Sequence, residues 1–480
     1  MYRAAIVSAA AAAVASAASA TSQFHLGAVT KASHGCDGLA LSFASSDNAT
    51  SSYTVSYSDG TTTKTVKSTF STFTNPSTGY VSPNLHTALF CDLTSGADYT
   101  YEVDGFTSSF SALLEAGSTE KSTVVAIVGD IGGTDWSNTT VHQIGRLHSH
   151  LKAQSLLIAG DWTYANGENI AWDNWFVEME DVFADTPVLG ITGNHETLTS
   201  GGNEYVKDTP PDHLKFVPEN YIDYLARVVT PITPQAIAAR QTYYSYDIGV
   251  VHFVFLDDYV GSNGSDLAIL NATSYITARQ TMVDWFEADL KAVDRSVTPW
   301  VAVVKHNPYY NSWSNHQCQC SATRFEIDEA DKDNCWHGLY YGGIKPSDPS
   351  FALREPHCGL EVKLEDLYYK YNVNVVFGGH VHAYERTAPI YKNKINNDKG
   401  TTHITIGAGG NFEGHAGPLL TPLSDWSLSS NNVTYGAGQL VATKSCFTWS
   451  WYADLDGNRT ADDISAFDTF SLGDCARHSC

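Results

Sequence analysis

Basic side chains are scarce in this sequence: 28 Lys and Arg stand against 52 Asp and Glu, a formal charge of −24 at pH 7. A nucleic-acid partner needs Lys and Arg along its phosphates, so broad contact with one is excluded. Any anionic ligand would have to find its positive charge in bound metal. Charge of either sign is sparse, at 17% against 43% hydrophobic and 12% aromatic residues, which excludes a disordered chain and leaves material for a large core. Beyond the first residues, no stretch reaches the roughly 18 apolar positions a membrane span needs, and the closing SLGDCARHSC is too polar for a lipid-anchor tail. A membrane partner is therefore not expected. No internal repeat is present.

What is there begins with MYRAAIVSAAAAAVASAASA: one basic residue, Arg3, then an Ala/Val/Ile run, then Ala18-Ser19-Ala20. That small-x-small ending reads as a signal peptide over residues 1–20, which predicts a secreted protein, with the vacuole or cell surface as other destinations. Sequons at Asn48, Asn138, Asn263, Asn271, Asn432 and Asn458 fit a glycoprotein. In an oxidising compartment most of the nine cysteines would pair, and the odd count leaves one free or intermolecular. Cys475 and Cys480, on the tail, are the candidates, so a monomer and a disulfide-linked dimer are both open.

At 480 residues the chain exceeds what one core usually fills, and its grammar changes once. Residues 21–117 are dense in Ser and Thr, with alternating runs at Tyr53–Tyr57 and Tyr99–Val103, the pattern of a small all-β sandwich that Cys36 and Cys91 could staple. A polar link, Glu115 to Lys121, leads into residues 118–480. There, apolar runs of buried-strand type alternate with helical segments, which predicts an α/β layered domain. Strands are expected at Val124–Val128, Ser155–Ala159, Pro187–Thr192, Val250–Leu256, Trp300–Lys305 and Asn374–Phe377. Helices are expected at Ile170–Phe183, Thr277–Val293 and Leu360–Tyr371.

Five polar clusters follow such runs: Gly129-Asp130-Ile-Gly132, Gly160-Asp161-Trp-Thr-Tyr164, Gly193-Asn194-His195-Glu196, Val303-Val-Lys-His306 and Gly378-Gly-His380-Val-His382. Any one alone reads as a helix cap or a turn. Taken in order, they would bring Asp130, Asp161, Tyr164, Asn194, His306, His380 and His382 to one edge of one sheet, where ligands bind in layered folds. Seven N and O donors of this mix suit two hard-to-borderline cations.

These blocks resemble the signatures of the purple acid phosphatases, a branch of the calcineurin-like metallophosphoesterases. Thr242–His252, His382–Arg386 and Ile404–Asn411 resemble family sequence as well, and the Ser/Thr-rich leader resembles the family's fibronectin-III-like domain. The resemblance implies a dinuclear centre, with Fe(III) on Asp130, Tyr164 and His382, a divalent ion (Zn, Mn or Fe) on Asn194, His306 and His380, and Asp161 bridging. Tyrosinate, a hard anionic donor, suits the ferric ion, whereas an amide and two imidazoles leave the second place to a softer cation. The implied reaction is hydrolysis of small phosphate monoesters by a metal-activated hydroxide. His195 and His316 resemble the family's substrate-contacting histidines, and Glu196 reads as a support for the ligands.

The sequence departs from that pattern in an insertion around 317–358 carrying Cys318, Cys320, Cys335 and Cys358. It reads either as a loop braced by two disulfides or as a structural zinc site on His316, Cys318, Cys320 and Cys335. Asp257-Asp258 reads as a strand-end turn. Two other functions stay open: a nucleotide pyrophosphatase or phosphodiesterase on the same metals, and a secreted binding glycoprotein whose second domain is inert.

Overall fold

The computed structural model describes residues 20–475 apart from 47–51, 76–77, 138, 141–152, 198–220, 240, 261–272, 315, 318–319, 322–323, 338–357 and 455–464. Residues 1–19 of the leader, Cys318, Cys480 and every sequon asparagine except Asn432 lie outside the described residues. Among the described residues no helix is long and apolar enough to cross a membrane.

The N-terminal region is all β. Strands Thr21–Val29, Gly38–Ser45, Asn84–Cys91 and Thr69–Ser71 form one layer, and Phe106–Ser111, Asp98–Val103, Thr54–Ser58 and Thr63–Lys67 form the other. Alternation along Asp98–Val103 turns Tyr99, Tyr101 and Val103 inward onto Phe24, Leu41, Phe90 and Phe110. The expected Cys36–Cys91 disulfide is present. The last sandwich strand in sequence ends at Ser111, but hydrogen bonding runs on beyond the sandwich, because Thr21–Val29 pairs parallel with Val188–Ile191, Gly27 opposite Val188. The N-terminal layer thereby continues into a ten-stranded sheet that also holds Thr123–Val128 and Ser155–Ala159.

All six expected strands form, within a residue or two, because each is an apolar run whose side chains are buried on both faces; Thr123–Val128 and Trp300–Lys305 are buried at every position. A fully buried Val, Leu or Ile contributes about 1.5–3 kcal/mol, which fixes such runs in the interior. They do not share one sheet. Thr123–Val128, Ser155–Ala159 and Val188–Ile191 lie in the ten-stranded sheet, while Val251–Phe255, Trp300–Lys305 and Val375–Gly378 lie in a second sheet of seven strands. Ile127, Leu157 and Leu189 of the first share one core with Phe253, Val304 and Phe377 of the second. Helix Asn169–Phe183 covers the first sheet's outer face with Trp172, Trp175 and Met179, and helices Thr273–Ala292 and Cys358–Tyr371 cover the second's with Met282, Phe286, Leu360 and Leu364. The result is helix, sheet, sheet, helix.

Cys475 is not a free thiol. The tail strand Asp468–Gly473 returns beside Cys446–Asp454, Cys446 facing Gly473, and this register allows the Cys446–Cys475 disulfide. Nor is the insertion a zinc site, since Cys320 and Cys335 are joined to each other and a disulfide sulfur cannot act as a thiolate ligand. Cys358 is disulfide-bonded too. The bracing reading stands.

On the second sheet, His252 donates from Nδ1 to Asp247 (2.7 Å) and from Nε2 to Asp289 (2.9 Å). Burial alone would lower its pKa, but the two carboxylates outweigh burial and push it up to about 9. An unfolded histidine titrates near 6.5, so this imidazolium contributes its full stability below about pH 6.5 and loses it as pH rises towards 9. Denaturant unfolding of the protein and of His252→Gln should differ by about 2 kcal/mol at pH 6 and converge near pH 9. A gap that does not change with pH would contradict the assignment.

Candidate metal centre

Each sheet delivers part of the site from the loops after its parallel strands. Asp130, Asp161 and Asn194 follow strands of the ten-stranded sheet, and His306, His380 and His382 follow strands of the other. The site is therefore a seam between two sheets. Gly129 N donates to Ile406 O across that seam at 3.1 Å.

Four of the seven candidates have left-handed backbone: Asp130 (φ 58°), Asp161 (52°), Tyr164 (56°) and His380 (63°). Such conformations cost non-glycine residues about 1–3 kcal/mol each, and their concentration here marks a place where side-chain direction outweighs local comfort. Two glycines clear the space between them. A Cβ on Gly193 would overlap Asp161 Oδ1, and one on Gly379 would overlap Asp130 Oδ2.

The seven side chains converge in two groups. Tyr164 Oη lies 3.1 Å from Asp130 Oδ1 and 2.8 Å from His382 Nε2, with His382 Nε2 3.5 Å from Asp130 Oδ1. Asn194 Oδ1 lies 2.9 Å from both His306 Nε2 and His380 Nδ1. Asp161 joins them: its Oδ2 is 3.1 Å from His306 Nε2, and its charge acts on the Tyr164 hydroxyl. Asp161, His306 and His380 can bring ligand atoms within 4.8 Å of one another.

Tautomers make this donor set fit for cations. His306 Nδ1 is 2.8 Å from Ala159 O, and His382 Nδ1 is 2.9 Å from Gly414 O. A carbonyl only accepts, so in the neutral rings Nδ1 carries the proton and each Nε2 presents a lone pair. The His306 lone pair faces oxygens of Asn194 and Asp161, and that of His382 faces Asp130, arrangements that are repulsive unless positive charge lies between them, whereas the Tyr164 phenol, while it keeps its proton, donates to Asp130 Oδ1 or to His382 Nε2. Without metal a proton must serve: the carboxylates of Asp161 and Asp130 overcome burial to push His306 up to about 10, and burial with Asp130 drives the Tyr164 phenol well above its usual range.

Supporting groups hold these atoms. Glu196 Oε2 accepts from Asp161 N (2.9 Å) and Gly193 N (2.8 Å), and its Oε1 accepts from Trp162 N (2.8 Å). Asp258 is more than a turn former. Its Oδ2 accepts from His306 N (3.0 Å) and Asn307 N (2.7 Å), and its Oδ1 faces Lys305 Nζ at 3.0 Å, all of it buried. The sequence held the clue: a Lys inside a buried strand requires an acid, and Asp258 ends the neighbouring strand. Asp257 instead accepts from Tyr221 Oη and Tyr259 N.

His195 is buried, its ring centroid 4.0 Å from that of Tyr164, with Nδ1 bonded to Asn166 and Nε2 3.9 Å from Asp161 Oδ2. His316 also reaches the centre, its ring edge-on to His380 with centroids 5.2 Å apart. Sequence reasoning missed Glu413, whose carboxylate stands 3.6 Å from His195 Nε2 and 4.0 Å from His382 Nε2. It belongs to no strand-end block, so spacing gave no signal for it.

Residues 123–384 match the family model described as calcineurin-like phosphoesterase, and residues 400–463 match that of the iron/zinc purple acid phosphatase-like protein C. Purple acid phosphatase 21 of Arabidopsis thaliana is 30% identical over 391 residues, 80% of this chain and 72% of that protein. The Fe(3+)-Zn(2+) purple acid phosphatase 12 of the same plant is 25% identical over 402 residues, 80% of this chain and 71% of its own. Among solved structures, purple acid phosphatase PPD1 from yellow lupin (Lupinus luteus) seeds superposes with a TM-score of 0.67 at 20% identity, covering 95% of this chain and 74% of that one. PhoD shares the fold at a TM-score of 0.59 and 12% identity, covering 95% of this chain and 91% of its own. The chain belongs to the purple acid phosphatases within the calcineurin-like phosphoesterase family, and is a phosphoester hydrolase.

Proposed function

We propose that this protein is a secreted acid phosphatase that releases inorganic phosphate from small monoesters at a ferric–divalent metal pair. One observation supports it above the rest: in each of two donor triads a backbone carbonyl orients one imidazole, His306 or His382, so that Nε2 presents a lone pair, and the charge of a single carboxylate, Asp161, acts on both triads. Asp130, Tyr164 and His382 would hold Fe(III), Asn194, His306 and His380 would hold Zn, Mn or Fe(II), and Asp161 would touch both. Bound there, the pair supplies Lewis acidity, which acidifies water and neutralises phosphoryl charge. The chain's own residues supply position. Glu196 and Asp258 fix the backbone of Asp161 and His306, so that the donors do not reorganise as charge moves. His195, turned by Asn166, presents Nε2 to the mouth of the site, and His316 flanks it beside His380. Because His195 gives its Nδ1–H to Asn166 Oδ1, it can donate from Nε2 to an ester or phosphoryl oxygen only as the imidazolium, a form that burial opposes, while a ring N–H of His316 can meet such an oxygen directly.

Phosphate release from phenyl phosphate, compared with hydrolysis of diphenyl phosphate, tests the reading. The monoester should be preferred by at least about tenfold in kcat/KM. Preference for the diester would select the phosphodiesterase reading, and a fully metallated protein inert to both would select the binding glycoprotein.

A further inference from the structure

The segment that carries His316 is a closed turn. Asn311 Nδ2 donates to His316 O at 2.8 Å, Asn311 Oδ1 accepts from Trp313 N at 3.1 Å, and Gln317 Nε2 reaches back to Asn311 O (2.8 Å) and Trp313 O (2.7 Å). Its shape is set internally, so the place of the His316 ring depends on how the turn is fastened to the rest of the chain. The backbone fastens one side, with Ser314 N donating to Pro418 O (3.1 Å) and Leu420 N to Ser312 O (2.8 Å), and buried Trp313 clusters with Val381 and Ala383. A further fastening is a side chain, Glu385, fully buried in the strand Tyr384–Thr387 that follows His382. Its Oε2 accepts from Ser312 N at 2.8 Å, and its Oε1 accepts from the hydroxyls of Ser312 (2.6 Å) and Ser427 (2.5 Å). A buried carboxyl is costly unless bonded, and the bonds that satisfy this one go mainly to the turn.

We propose that Glu385 is a positioning residue of the reaction: its carboxylate ties the His316 turn to the strand that follows His382, and so sets where the His316 ring stands beside the metal centre. This rests on the phosphatase reading above and deepens it by assigning the group that places His316. The His316 ring is edge-on to His380 with centroids 5.2 Å apart, so a shift of the turn changes the reach of its N–H to a substrate oxygen. Misplacing a reacting group by about 1 Å can cost about 10²-fold in rate, and the backbone fastenings that remain without Glu385 hold the loss below that. The side-chain bonds of Glu385 run to Ser312 and Ser427, whereas Asp161 and His306 have their own supports in Glu196 and Asp258. Loss of Glu385 therefore reaches the rate through the turn and leaves the metals in place.

The test is a double-mutant cycle on the metal-loaded protein, read as kcat/KM for phenyl phosphate at about pH 6. The variants are Glu385→Leu, Glu385→Gln, His316→Ala and the Glu385→Leu/His316→Ala pair, with iron and divalent metal assayed in each. His316→Ala should lower kcat/KM by about 10²-fold and Glu385→Leu by about tenfold, both with metals retained. On the His316→Ala background, Glu385→Leu should cost less than about twofold, because the group it places is gone. Glu385→Gln should stay within about threefold of the unmutated enzyme, since its amide oxygen can accept from Ser312 N and its NH2 can donate to the two hydroxyls. Where Glu385→Leu fails to fold, Ser312→Ala, which removes one hydroxyl bond, should cost about threefold with His316 present and nothing measurable without it. A loss that is as large without His316 as with it, or that follows lost metal, overturns the proposal. Unchanged kinetics in His316→Ala or in Glu385→Leu do the same. Inactivity of the unmutated enzyme on every ester removes the phosphatase reading as well, a result distinct from activity that does not depend on Glu385.

Discussion

Asp161→Asn should lower turnover on the order of 10⁴-fold, equivalent to about 5.5 kcal/mol of transition-state stabilisation, while leaving the protein folded. Asparagine is the informative replacement because residue 161 has φ 52°, a conformation that Asn tolerates and Ala does not. An amide oxygen can still accept from His195 N, which now bonds Asp161 Oδ1 at 2.9 Å. What it lacks is the negative charge between the two donor triads. The expected result is an intact unfolding transition, loss of at least one metal and near-complete loss of phosphate release. Retention of both metals with a tenth or more of the original rate would remove Asp161 from its bridging role.

Asp258→Asn should show the second-largest effect, and it should appear in stability as well as rate. Lys305 and Asp258 are both buried, and removing one partner of such a pair typically costs about 3–5 kcal/mol because a charge is left without its counter-ion. A nearby reserve limits the damage. Glu361 is fully buried, and burial pushes its carboxyl up to about 8 against the pull of Lys305, so it is largely neutral at pH 7. Once Asp258 is neutral, Glu361 can ionise in its place. The expected loss in denaturant unfolding is therefore about 3 kcal/mol for Asp258→Asn and clearly more when Glu361→Gln is added. Lys305→Met on the Asp258→Asn background should recover much of the stability but not the full rate, since His306 N would be held by a neutral amide oxygen in place of a carboxylate. Recovery of rate along with stability would show that Asp258 serves the fold and not the site.

The same residues show what a sequence can and cannot reveal. Strands such as Ser155–Ala159 and Trp300–Lys305 were legible because burial on both faces demands continuous apolar runs, and the donor blocks were legible because they follow those runs directly. Partition into two sheets was not, since a buried strand carries no mark of its neighbours. Nothing in Thr21–Val29 announces that it pairs with Val188–Ile191, more than 150 positions away. Cys475 looked free because the tail reads as polar, yet a polar exposed strand with one-sided alternation, Asp468–Gly473, brings it to Cys446. Tyr164 and Asp161 could be found from their block, whereas Glu413 reaches the centre only through the folding of its loop onto Asp130. Groups that act by position over long separations are the ones that spacing cannot expose.

The central claim is that loops from two sheets grip a pair of cations in the seam between them. Element-resolved anomalous diffraction from crystals of the purified, metal-loaded protein tests it most directly. The account predicts two peaks per chain, an iron peak enclosed by Asp130, Tyr164 and His382 and a second, divalent peak enclosed by Asn194, His306 and His380, with Asp161 touching both. A single peak, or peaks away from these side chains, would contradict it.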